Sequence, residues 1–135
     1  MIIPINDNNV HWFAACIDFR NKRTEVYDSM TGSHRDVHQH LRKWLQDEHQ
    51  ERKKAPLDLA AWSTLSSGDP GVASPRQHNG CDCGMFSLLF CACASIDREF
   101  DFKQEDIPLL RSWIVQTIYK LGESKGQIQG GLCTH

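Results

Sequence analysis

Apolar and polar positions alternate in blocks along this chain, and the block lengths differ enough to predict elements. MIIPI at the start is a short apolar run and predicts a strand, with Pro4 suited to an edge or a strand end. NDNN, residues 6–9, reads as a loop by its composition. VHWFAACIDF, residues 10–19, is almost continuously apolar, the pattern of a strand covered on both faces. RNKR at 20–23 predicts a turn and TEVYDS at 24–29 a further strand, so residues 10–29 read as a hairpin.

Farther along, Val37, Leu41, Trp44 and Leu45 recur at helical spacing. That helix would be capped by Ser33 and would run to about Lys53, ahead of Pro56. LAAWSTLSS predicts a short strand around Trp62, and the Gly, Pro, Ser and Asn of residues 67–80 predict a loop. CGMFSLLFCACASI follows Asp82; its length and its Ala, Leu and Met favour a buried helix. A last helix places Ile107, Leu110, Ile114 and Leu121 on one face, with Trp113 and Ile118 beside it. Asp106 is its expected cap, Pro108 lies in its first turn and Gly122 its expected end, leaving GQIQGGLCTH as a loose tail. No repeat or linker divides the 135 residues, so a single domain is expected over 1–135. A hairpin of buried strands followed by helices gives an α+β class, or α/β with a mixed sheet.

Charge and composition remove several function classes. A net charge of −2 supplies no basic field for nucleic acid. The apolar stretches are too short to cross a membrane, and the first residues lack the basic and apolar regions of a secretory signal. Six cysteines without an export signal read as reduced thiols, which sets an intracellular expectation, nucleus or cytoplasm.

QHNGCDCGMFS, residues 77–87, then poses a choice for Cys81 and Cys83. With Cys91 and Cys93 they form two CxC pairs, but structural zinc prefers wider spacing on turns. Cys91 and Cys93 also fall inside a predicted helix, about 200° apart, and cannot both face Cys83. A Cys81–Cys83 disulfide would close a very small, strained ring. The remaining reading is one reactive thiol beside an idle one. Cys83 sits where a Gly- and Asn-rich loop enters a helix, where the dipole and free N–H groups favour thiolate, and Gly84 permits close approach of a substrate backbone. On local context alone this stands level with the plainer reading of two small buried hydrophobes. A thiol needs a base, an orienter and oxyanion donors. His34, His38, His40 and His49 lie on or beside the amphipathic helix and read as solvated; His34 and His38 have a chelating spacing. His11 instead enters the buried strand, and a hairpin turning near Asn21 brings Asp28 to it. Gln77 is the candidate amide for the oxyanion.

HW, YDS and QHNGCDCGMF together resemble the cysteine proteases specific for ubiquitin-like proteins that process and remove SUMO (sentrin); the viral adenain proteases are more distant relatives. The similarity covers nearly the whole chain, from IPIN…HWFAACIDFRNKRTEVYDSM to FDFKQEDIPLLRSWIVQTIYKL. It implies a papain-like, adenain-like α+β fold with a mixed central sheet flanked by helices. It implies Cys83 as nucleophile, His11 as base, Asp28 as orienter and Gln77 as oxyanion donor. Trp12, Gly84 and Asn79 would contact substrate, with Trp12 forming part of a tunnel over a Gly-Gly tail. No metal or cofactor is called for. The partner would be SUMO or another ubiquitin-like modifier and its conjugates, with no nucleic acid and no membrane. Compared with the family, the chain begins where the catalytic domain is already under way, so the N-terminal part of that domain, with a second tunnel tryptophan, is expected to be missing. Two functions follow: an isopeptidase and precursor-processing protease, or a truncated non-catalytic relic that binds a modifier or a partner.

Overall fold

The computed structural model describes residues 1–129, with side chains described through residue 123. The described residues fall into two compact units, Met1–Gln104 and a second from Glu105 onward. The elements are β1 (Ile2–Asp7), β2 (His11–Asp18), β3 (Arg23–Tyr27), α1 (Arg35–Lys53), β4 (Ser63–Ser66), α2 (Cys83–Ser95), a single 3-10 turn at Gln104–Asp106, and α3 (Ile107–Gln129).

The four strands form one sheet in sequence order. β1 and β3 flank β2 antiparallel, and β4 joins β3 in parallel, so the sheet is mixed as expected. Pro4 sits exposed on β1, the edge strand, where its missing N–H costs no interior ladder bond. β1 runs farther than its composition suggested: Asn6 and Asp7 pair with Trp12 and His11, so half of the expected NDNN loop is strand. The turn that remains puts Asn8 and Asn9 at φ 52 and 59, a left-handed conformation that asparagine tolerates better than most residues.

β2 is buried on both faces, as its unbroken apolar run predicts. Phe13, Ala15 and Ile17 join Val26 of β3 with Leu41 and Leu45 of α1 and Leu59 in one core. Ala14 and Cys16, of opposite parity, face the other way with Tyr27, which stacks on Phe90 of α2 at 5.8 Å. Phe86, Phe90, Phe100 and Phe102 complete that second core as an aromatic cluster. Ser87 in α2 donates to the Phe13 carbonyl at 3.0 Å and fixes α2 along β2. The sheet is therefore a middle layer with α1 on one side and α2 on the other.

Three expectations need correction. α1 is entered through His34, not Ser33: His34 takes the cap position in a left-handed conformation, φ 41 and ψ 44, without a side-chain cap bond. His38 is not a solvated helix residue; it is buried, its Nδ1 at 2.8 Å from Thr24 Oγ1 and its Nε2 at 2.9 Å from Ser66 Oγ. α3 does not stop at Gly122 but continues to Gln129, passing through both Gly122 and Gly126, each of which costs a helix interior only about 1 kcal/mol. The rest of the expected tail, residues 130–135, lies outside the described residues.

Burial pushes the His38 pKa below its ordinary value of 6.5. The unfolded chain therefore takes up this proton first as pH falls, so the stability due to a neutral His38 is full above about pH 6.5 and declines below it. His38→Gln should flatten the fall in urea midpoint between about pH 6.5 and about pH 5; an unchanged slope would contradict this account.

Candidate active site

Three segments converge at one end of the sheet. His11 is the first residue of β2. Asp28 follows the last residue of β3. The β2–β3 ladder ends at Ala14↔Tyr27, so both residues lie just past it, where a side chain from each can turn toward the other. They meet: His11 Nε2 is 2.7 Å from Asp28 Oδ1. A carboxylate only accepts, so His11 donates from Nε2, and Nδ1 of the neutral ring is left as a proton acceptor.

Asp28 is 2% exposed and surrounded by donors. Oδ1 also accepts from the Met30 N–H at 2.8 Å. Oδ2 accepts from the Gly32 N–H at 3.1 Å and lies 2.7 Å from Nε2 of a second histidine, His34. Its own N–H donates to Ser67 Oγ at 2.8 Å. Burial pushes the Asp28 carboxyl up, but the hydrogen bonds from His34, Met30, His11 and Gly32 outweigh it and hold it below its ordinary value.

Cys83 opens α2 and is 8% exposed, whereas Cys81 is exposed. The first bond of the helix runs from the Phe86 N–H to the Asp82 carbonyl at 3.0 Å, so the N–H groups of Cys83, Gly84 and Met85 precede the regular ladder. Gly84 lies against Trp12: a β-carbon there would stand 3.8 Å from the indole Cδ1. Cys83 is thus next in chain to the residue touching Trp12, which is itself next to His11. Trp12 is 42% exposed. Burial raises the thiols of Cys91 and Cys93 and pushes Cys16 up to about 11, so these three are held protonated at neutral pH.

Gln77 is oriented from both ends. Ser29, the residue after Asp28, donates its hydroxyl to Gln77 Oε1 at 2.7 Å, and the Gln77 N–H bonds the Ser29 carbonyl at 3.2 Å. Gln77 Nε2 donates to the Asn79 carbonyl at 2.5 Å, which leaves one amide hydrogen for another acceptor. Asn79, expected to contact substrate, uses its side chain on the loop itself. Its Oδ1 accepts from the N–H groups of Cys81 and Asp82, and its Nδ2 donates to Asp82 Oδ2 at 2.7 Å. Gln104 Nε2 bonds the same Asp82 oxygen at 2.8 Å. The loop before the thiol is thereby closed around one aspartate.

Residues 1–125, which include all of these side chains, match the family model described as the Ulp1 protease family, C-terminal catalytic domain. The chain belongs to this family. It is 33% identical over 118 residues to Sentrin-specific protease 2 of Homo sapiens, covering 87% of this chain and 20% of that protein. A Sentrin-specific protease of Caenorhabditis elegans gives the same identity, with 87% and 16% covered. Among solved structures, the Ulp1-like SUMO protease catalytic domain of Chaetomium thermophilum superposes with TM-score 0.69 at 25% identity, covering 84% of this chain and 42% of that one. The C-terminal Ulp1 protease domain in complex with Smt3, the yeast ortholog of SUMO, gives TM-score 0.61 at 26% identity, with 82% and 47% covered. The chain thus spans a fifth or less of these curated relatives and under half of these solved chains. The mixed sheet between helices is the α+β fold of this Ulp1-family domain.

Two features of the site escaped the sequence. His34, read as solvated, instead shares Asp28 with His11. Ser29, within YDS, holds Gln77. His40 and His78 are exposed, and the His78 N–H bonds Gln104 Oε1.

The four donors around Asp28 require an acceptor at every position. Asp28→Asn would turn an amide N–H₂ against one pair of them and leave buried donors unpaired. A loss of about 2 kcal/mol or more in urea unfolding is expected; a loss within about 0.5 kcal/mol would contradict the bonding described.

Proposed function

We propose that this chain carries the catalytic centre of a thiol isopeptidase that cleaves after the C-terminal Gly-Gly of SUMO, releasing it from lysines and maturing its precursor. The observation carrying this reading is the His11–Asp28 bond through Nε2, which leaves Nδ1 of His11 free at the strand end beside which the Cys83 helix begins. Membership of the Ulp1 family, whose relatives are named as sentrin and SUMO proteases, supports the substrate class.

In this reading His11 Nδ1 takes the Cys83 proton, giving an imidazolium–thiolate pair, with Asp28 holding the ring and balancing its charge. The thiolate attacks the carbonyl carbon of the terminal glycine, and the carbonyl oxygen becomes an oxyanion. The second amide hydrogen of Gln77 and the Cys83 backbone N–H donate to it. The C–N bond breaks as His11 returns its proton to the departing lysine or precursor amine. His11 then takes a proton from water, the hydroxide adds to the thioester, and the carboxylate product leaves with the Cys83 thiol restored. Trp12 forms one wall of the passage for the Gly-Gly tail, and Gly84 keeps that wall free of a methyl group. Selectivity for glycine follows, since any side chain would meet the indole. We place the reaction inside the cell, in nucleus or cytoplasm, where thiols stay reduced. Among the described residues no helix is long and apolar enough to cross a membrane.

Hydrolysis of a SUMO C-terminal aminocoumarin amide tests the roles. Cys83→Ala should abolish turnover and Cys81→Ala should largely preserve it; equal loss in both would reject the assignment. Gln77→Ala should lower kcat by about 10²–10³ with KM little changed, the signature of a donor acting in the transition state. Turnover by the unsubstituted chain no faster than by Cys83→Ala would favour a non-catalytic, modifier-binding protein.

A further inference from the structure

His34 is held in a conformation its own β-carbon disfavours. It is not glycine, yet its backbone is left-handed, φ 41 and ψ 44. That backbone sends its imidazole onto the face of Phe13, with centroids 4.1 Å apart and planes at 23°, and its Nε2 onto Asp28 Oδ2 at 2.7 Å. Phe13 also lies beside His11, at 6.1 Å between centroids. The two histidines therefore share both a carboxylate and an aromatic ring. Gly32 fits this arrangement: a β-carbon there would stand 2.3 Å from His34 Nε2, closer than any atom can sit.

We propose that His34 is a positioning residue for the reaction: its N–H fixes the plane of the Asp28 carboxylate, so that Oδ1 stays on His11 Nε2. The inference rests on the catalytic reading above and gives His34 no contact with substrate. Without His34, Oδ2 keeps only the Gly32 N–H, in a site where the Asp28 side chain is 3% exposed. The carboxylate is then freer to turn and easier to protonate, and either change removes the partner of the His11 imidazolium. The titratable groups on the carboxylate itself are His11 from β2 and His34 from the segment entering α1. Beyond them His34 acts on His38 of α1, around which Asp36, Arg42 and Asp69 also lie.

The test follows alkylation of Cys83 by iodoacetamide, located by fragment mass spectrometry, in the full chain carrying Cys81→Ser, from about pH 5 to about pH 9. His34→Phe keeps a flat ring for Phe13 and removes the N–H; His34→Gln restores an amide N–H near the Nε2 position. Relative to the parent, His34→Phe should react about tenfold more slowly at about pH 6, with its acid limb moved to higher pH, and His34→Gln should recover to within about threefold. Gly32→Ala displaces the ring by an independent route and should match His34→Phe, so the test survives if one variant does not fold. A folded His34→Phe or Gly32→Ala with the parent's rate and acid limb would overturn the proposal, as would equal slowing in Phe and Gln variants. A parent whose Cys83 lacks enhanced reactivity below neutral pH would overturn the catalytic reading itself, and this inference with it.

Discussion

The buried Asp28 carboxylate is the interaction on which the rest of this site depends. A charge this deep is tolerated only when its lone pairs are met. Here two side chains and two backbone N–H groups meet them, and each donor fixes a different piece of chain. His11 ties in the start of β2, Met30 and Gly32 shape the turn after β3, and His34 sets the entry to α1. One residue on, Ser29 carries the same organisation to Gln77 and the loop before Cys83. The dipeptide Asp28–Ser29 thus orients the candidate base through one side chain and the candidate oxyanion donor through the other.

The layered fold is what allows this. β2 is covered on both faces, so the parity of its residues sorts them: Phe13 belongs to the α1 side and carries the two histidines, while Trp12 meets the α2 side at Gly84. The Ser87–Phe13 bond locks α2 along the strand, which keeps the first turn of α2, and Cys83 with it, at the end where His11 begins. Two cores, largely aliphatic around Phe13 on one side and aromatic on the other, hold the strands and helices that carry this polar cluster.

Much of this was readable from the residues. The unbroken run 10–19 announced a doubly buried strand, the turn near Asn21 announced the meeting of His11 and Asp28, and the length of the run after Asp82 announced a helix starting at the thiol. What escaped reading depends on contacts distant in sequence. His38 looks like a polar helix residue until Thr24 and Ser66 arrive from two strands to satisfy both ring nitrogens. His34 gives no periodic signal because it precedes the helix in a left-handed conformation that favours glycine or asparagine. Asn6 and Asp7 look like loop, but pairing with Trp12 and His11 overrides their weak strand preference. Asn79 carries a bonding role that its position beside the thiol does not announce: its amide closes the loop onto Asp82.

The central claim is that this assembly makes Cys83 a nucleophile toward a SUMO C-terminus. Incubating the chain with SUMO bearing a C-terminal vinyl sulfone, and locating any adduct by mass spectrometry, tests it most directly. The account predicts a covalent adduct on Cys83 that forms equally well in Cys81→Ala. A chain shown to be folded by circular dichroism that forms no adduct, or forms it on Cys81, would contradict it.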